Sequence, residues 1–229
     1  MQRLDFRKKK NIERRIMIEQ NKATEYKSST FFPPLERIGG WKNSCSAYIL
    51  AGGKSQRMGT DKGLLLLAGK PFVSHICEAV KSIVGENIVI VSSNADYDFL
   101  GYKRIEDLVS DKGPVGGIYT ALQYSRAKLN FILSVDAPLV SAELLLWILE
   151  NKNDCYEMTQ VQLDKKAYPL IAIYEQSLVS VFEENLKKEQ LRLRQIIEEI
   201  NQQTLKIPEK WRTQVQNINT PEEYQKIQL

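Results

Sequence analysis

The chain has 229 residues, 43% of them hydrophobic, which suits one sizeable α/β domain with a substantial core. No apolar run approaches the roughly 20 residues of a membrane helix, so no membrane partner is expected. The net charge of +4 is concentrated at the start: residues 1–44 hold 11 Lys/Arg against 5 Asp/Glu, leaving about −2 for the rest, so the folded body is not basic and a nucleic-acid partner is not expected either.

Residues 1–44 read as a basic N-terminal extension, with a charged stretch from Arg7 to Lys27, then Ser28-Ser29-Thr30 and a Pro33-Pro34 break. Its polar composition predicts a flexible appendage, and residues 45–229 form the expected catalytic domain. The extension lacks the apolar core and small-residue cleavage site of a secretory signal, which points to the cytoplasm. Cys45, Cys77 and Cys155 are far apart and odd in number, as expected of reduced, small buried side chains rather than a disulfide framework.

From Ser46 the texture changes. Ser46 to Leu50 predicts a buried strand that runs into the glycine turn Ala51-Gly52-Gly53. Pro71 to Val84 has apolar residues at helical spacing, and Asn87 to Val91 is a β-branched run suited to an interior strand. A helix is predicted at Pro114 to Tyr124 and a strand at Phe131 to Val135. Ser141 is the expected N-cap of the next helix, with Glu143 close behind. Strands follow at Glu157 to Gln162 and Pro169 to Tyr174, and helices at Glu175 to Lys187 and Glu189 to Ile200. Strands separated by helices imply a mostly parallel sheet covered on both faces. In such sheets ligands bind beyond the carboxyl ends of the strands, where the most distinctive segments of this chain fall.

The first of these segments runs from Leu50 to Lys62. Its glycines let backbone N–H groups approach a phosphate, and Arg57 and Lys62 bring positive charge to an anion. It is neither a Walker A loop nor a Gly-x-Gly-x-x-Gly turn. The second, Phe131 to Pro138, is an apolar strand that ends in Asp136, an oxygen ligand suited to Mg²⁺; a strand-end Asp before Pro is equally a turn former. The third joins Asp107 to Gly113, Pro114 and Gly117 at a helix start, with Asp107 placed to meet a hydroxyl, a base edge or a metal-bound water. The fourth is Asn217-Ile218-Asn219 before Thr220-Pro221-Glu222-Glu223. There Thr220 as N-cap, Pro221 at the first helical position and Glu223 at the third predict a capping box.

In this order the segments resemble the nucleotidyltransferase superfamily and, within it, the molybdenum cofactor guanylyltransferases. The resemblance is carried by Leu50-Ala51-Gly52-Gly53, Arg57-Met58-Gly59, Asp61-Lys62, Gly69-Lys70-Pro71 and Ile105-Glu106-Asp107. Gly113-Pro114 with Gly117, Asp136-Ala137-Pro138 and the Asn217 to Glu222 stretch complete it. It implies an α/β, three-layer Rossmann-like nucleotidyltransferase fold. It also implies GTP-binding roles for Leu50, Ala51, Gly52, Gly53, Lys62, Asp107 and Asp136, catalytic roles for Arg57, Lys62 and Asp136, and Mg²⁺ as cofactor on Asp136. Gly113, Pro114, Gly117, Asn217 and Asn219 are implied to bind substrate, with the two asparagines facing the pterin. Val135 stands before Asp136 where the family usually has cysteine, Tyr168 precedes Pro169-Leu170 where relatives often have His or Gln, and Ser92, Ser93 and Asn94 compete to match a family asparagine.

The implied reaction transfers GMP from GTP to the phosphate of molybdopterin, or molybdenum cofactor, and releases pyrophosphate. Molybdoenzymes or cofactor chaperones are the expected recipients of the product. The nucleophile is already an anion at neutral pH, so no general base is required, in keeping with a single histidine, His75, inside a predicted helix. Competing readings are a related enzyme using CTP on the same pterin or an NTP on a sugar phosphate, and a non-catalytic nucleotide-binding protein. Relatives using CTP tend to show Ala-Ala-Gly where this chain has Ala51-Gly52-Gly53, which favours GTP.

Overall fold

Strand β1 (Cys45–Leu50) is buried on both faces, and its side chains divide between two cores with the period of two that a pleated strand imposes. The computed structural model of the protein describes residues 44–52 and 61–228; residues 1–43, which make up nearly all of the expected extension, and the 53–60 stretch with Gly53 and Arg57 lie outside the described residues. Ala47 and Ile49 face helices α1 (Phe72–Val84) and α3 (Ala142–Asn151). Tyr48 and Leu50 face α2 (Gly113–Tyr124), α4 (Val179–Lys187) and α5 (Leu193–Glu199). The same alternation recurs in β4 (Ile88–Val91) and β6 (Leu129–Ser134), where Ile88, Ile90, Phe131 and Leu133 belong to the first core and Val89, Val91 and Ile132 to the second. The result is the expected three-layer α/β arrangement.

The main sheet has seven strands in the order β5-β4-β1-β6-β8-β7-β9, where β5 is Lys103–Ile105, β7 Met158–Leu163, β8 Lys166–Glu175 and β9 Gln202–Lys206. It is mostly parallel: only β8 runs against the others. The strand expected at Pro169 begins earlier, at Lys166, so only Asp164 and Lys165 separate it from β7, a connection short enough for a hairpin and too short for a crossover. Asp164 takes φ 53° there. Glu175 ends β8 and does not open a helix, so the helix expected from Glu175 starts at Val179; the one expected from Glu189 starts at Leu193. Strands β5 and β9 lie at the two edges of the sheet, are only partly buried, and lack a long apolar alternation. A small hairpin of β2 (Leu66–Leu67) and β3 (Lys70–Pro71) precedes α1.

Ser141 caps α3, its side chain accepting from the Leu144 N–H, and Thr220 and Glu223 form the expected capping box of α6 (Pro221–Ile227). Cys45 and Cys77 are buried free thiols, the latter's pKa pushed up to about 12 by burial, whereas Cys155 is exposed and departs from the buried role expected of it. Among the described residues no helix is long and apolar enough to cross a membrane.

Ile49 is fully buried between β4 and β6. Ile49→Ala is expected to lower the unfolding free energy by about 3–4 kcal/mol, read as a shift of the denaturant midpoint at unchanged slope.

Candidate active site at the strand ends

The chain order reverses at β1: β4 and β5 are added on one side of it, and β6 on the other. Connections leaving β1 and β6 therefore part in opposite directions and open a crevice beyond their carboxyl ends. A cavity of about 780 Å³ occupies this crevice. Each neighbouring strand supplies wall residues just past its end: Gly52 after β1, Ser93 after β4, Glu106 and Asp107 after β5, and Asp136 after β6. Leu50 and, from the start of α2, Gly113, Pro114 and Gly117 complete the side nearest the sheet.

Two glycines leave room around the Asp107 carboxylate. A Cβ on Gly52 would lie 3.6 Å from Asp107 Oδ2, and one on Gly117 would lie 3.7 Å from Asp107 Oδ1 and 3.2 Å from Leu50 Cδ1. Gly113 adopts φ 56°, a left-handed conformation that favours glycine at the turn into α2. Among the described residues Asp107 Oδ1 is buried with no hydrogen-bond partner. Burial pushes this carboxyl above the ordinary aspartate range, and the nearby Thr120 hydroxyl offsets the effect only in part.

On the opposite wall Lys62 Nζ lies 3.2 Å from Asp136 Oδ1 and donates to Asn219 Oδ1 at 2.7 Å. The Lys62 side chain is 11% exposed and that of Asp136 30%, so the pair is sheltered but open on one side. Backbone contacts hold Asp136 in place. Val135 N donates to Leu50 O at 3.2 Å, Asp136 N to Ser134 Oγ at 3.2 Å, and Ile218 N to Asp136 O at 2.7 Å. The last contact docks the C-terminal stretch onto β6 and delivers Asn219 to Lys62. Glu223 Oε2 accepts from both Asn219 N and Thr220 N, at 2.6 and 3.1 Å, so the helix cap also orients the asparagine.

Asn217 goes elsewhere. It lines a second cavity of about 570 Å³ with Tyr168, Arg192 and Arg194, and Leu170 belongs to the walls of both cavities. Ala51 has its side chain in the core, while its carbonyl accepts from Ser92 Oγ at 3.0 Å. His75 Nε2 is 2.8 Å from Leu67 O, a local contact away from the crevice. Sequence reasoning passed over Arg192 and Arg194, which it placed inside a helix, and Tyr97, which carries no motif, and it left Asn94 as one of three candidates for a family asparagine. Arg194 does lie in α5, and Arg192 is the residue just before that helix.

Among the described residues no cluster of three or more His, Cys, Asp or Glu side chains forms a metal cage. A single sheltered carboxylate that already faces an ammonium fits Mg²⁺, which binds through one or two carboxylates and takes its other ligands from phosphates and water.

Residues 47–205 match the model of a family described as the MobA-like NTP transferase domain. A Flavobacterium johnsoniae protein named "Probable molybdenum cofactor guanylyltransferase" is 37% identical over 184 residues, covering 80% of this chain and 96% of that protein. An Aquifex aeolicus protein of the same name is 32% identical over 185 residues, covering 81% and 90%. In structure, the molybdopterin-guanine dinucleotide biosynthesis protein A of Archaeoglobus fulgidus is similar with a TM-score of 0.68 over 80% of this chain and 96% of that one, at 22% identity.

The raised pKa of Asp107 has a testable sign. Stability linked to its protonated form is complete below the usual aspartate pKa and is lost as pH rises through the elevated value. Asp107→Asn removes this loss. The melting temperature of the nucleotide-free variant should match that of the parent protein near pH 3.5 and exceed it increasingly toward pH 7.

Proposed function

Because the chain belongs to the MobA-like NTP transferase family, we propose that it transfers the GMP part of GTP to the terminal phosphate of molybdopterin, forming the guanine dinucleotide cofactor and pyrophosphate. The observation that carries this reading is the Lys62–Asp136 pair at the rim of a glycine-floored cavity, opposite the buried carboxylate of Asp107. Glycines where a ligand's backbone must come close, one ammonium, one metal-suited carboxylate and an acid without a partner together suit a nucleoside triphosphate.

An oxygen of the molybdopterin phosphate attacks the α-phosphorus of GTP. The new P–O bond forms as the bond to the β-phosphate oxygen breaks, and pyrophosphate carries away the electron pair. The nucleophile needs no deprotonation, so the absence of an acid–base histidine from the described part of the site is no obstacle. What the protein supplies is alignment of two anions and compensation of their charge. Lys62 exchanges its contact with Asp136 for phosphate oxygens, and Gly52 and the start of α2 line the same cavity. Arg57 adds a second cation to the triphosphate. Asp136 is the residue that would hold Mg²⁺, and the ion would supply neutralisation of phosphate charge. The unpaired Asp107 oxygen accepts from a donor on the nucleoside.

The acceptor enters from the second cavity. Tyr168 offers an aromatic surface there, Asn217 an amide, and Arg192 and Arg194 positive charge, a set suited to a flat, hydrogen-bonding, anionic molecule. Asn219 accepts from Lys62 and so stands beside the phosphate-facing ammonium. A cytoplasmic location and delivery of the product to molybdoenzymes or their chaperones go with this reading.

Pyrophosphate release measured with GTP, CTP and UTP, with and without molybdopterin, is expected only with GTP plus the pterin. Release with CTP or without the pterin would overturn the assignment. Asp136→Asn should keep its circular dichroism spectrum and lose on the order of 100- to 1000-fold in turnover; near-normal Mg²⁺-dependent turnover would refute the metal role.

A further inference from the structure

The carboxylate next to Lys62 does not pair with it. Asp61 Oδ1 accepts from the Gly63 N–H at 3.0 Å and from the Tyr97 hydroxyl, and Asp61 Oδ2 accepts from Asn94 Nδ2 at 3.0 Å. Among the described residues all three of its donors are neutral. The ammonium of Lys62 goes instead to Asp136 and Asn219 on the cavity side. Adjacent acid and base have thus been kept apart by saturating the acid with donors that carry no charge.

Each donor is itself committed to its place. Tyr97 is fully buried, and burial together with the Asp61 charge pushes its phenol pKa up, so it stays protonated and donates. A Cβ on Gly63 would come within 2.2 Å of the Tyr97 hydroxyl oxygen, so the backbone after Lys62 rests on the same phenol that holds the side chain before it. The amide of Asn94 is oriented by its other end, where Oδ1 accepts from Asp96 N at 2.9 Å. Asn94 N donates to Ser92 Oγ at 3.1 Å, and Ser92 Oγ donates to Ala51 O. The connector after β4 therefore ties down both Ala51, at the exit of β1, and Asp61, at the entry to the turn that carries Lys62.

We propose that Asp61, clamped by Tyr97 and Asn94, is a positioning residue that aims Lys62 at the substrate phosphates without neutralising it. This rests on the reading of Lys62 as a phosphate contact. A helix cap alone would need one hydrogen bond to Gly63 N; two further donors on the same carboxylate and a glycine pressed against one of them fix the direction of a single side chain.

The test is a double-mutant cycle of Tyr97→Phe with Lys62→Ala in the full-length chain, read by calorimetric GTP binding in Mg²⁺ buffer and by pyrophosphate release. Phenylalanine keeps the ring under Gly63 and removes only the donor. Tyr97→Phe is expected to weaken GTP binding about fivefold and to slow turnover about tenfold in the parent protein, and to change each by less than about twofold when Lys62 is already alanine. Equal effects in both backgrounds would overturn the positioning role, since the phenol would then act on something other than Lys62. If Lys62→Ala alone leaves binding and turnover unchanged, the phosphate-contact reading fails first and the proposal with it. Asn94→Ala, which breaks the clamp from the other oxygen, should show the same dependence on Lys62 should Tyr97→Phe fail to fold.

Discussion

The crevice is built around the meeting of an ammonium and a carboxylate that are 74 residues apart in the chain, Lys62 and Asp136. Neither is held by its own neighbours in sequence alone. Asp136 sits at the exit of β6 because β6 is paired to β1 along its whole length and because Ile218 N closes on its carbonyl. Lys62 is carried by a short turn braced from the connector after β4. The pair is sheltered enough for its charges to act strongly and open enough on one side to exchange partners.

The opposite wall is organised by a deficit. Asp107 has a buried oxygen without a donor, and burying such a group lowers the stability of the free protein. Groups of this kind persist where a ligand completes them. The glycines at 52 and 117 fit this account: larger side chains would fill the space around the carboxylate. One wall thus presents an ion pair and the other a buried carboxylate oxygen without a donor among the described residues.

The alternating strands and helices were legible because β1, β4 and β6 are buried on both faces and read as continuous apolar runs, while α1 and α3 show apolar residues at helical spacing. The capping box at Thr220 was legible because a cap is local chemistry, complete within four residues. The edge strands β5 and β9 were not, since an edge strand buries too little to show an apolar pattern. The reversal at β8 escaped for a related reason: its first residues, Lys166 and Ala167, pair with β7 without an apolar signature of their own. Ser92, Ser93 and Asn94 could not be told apart from sequence, yet their partners differ sharply, Ser92 reaching Ala51 and Asn94 reaching Asp61.

Residue types and their order along the chain determined the family, the layered α/β class and the shortlist of charged and glycine positions, because these depend on local periodicity and on motifs read within a few residues. Tertiary structure alone decided that Asn219 meets Lys62 while Asn217 turns to a second cavity, that Asp107 lacks a donor, and that Tyr97 and Asn94 hold the acid beside Lys62. Those outcomes depend on contacts between segments tens to more than a hundred residues apart, and direction and distance across such separations are properties of the packed sheet, not of any stretch of the chain.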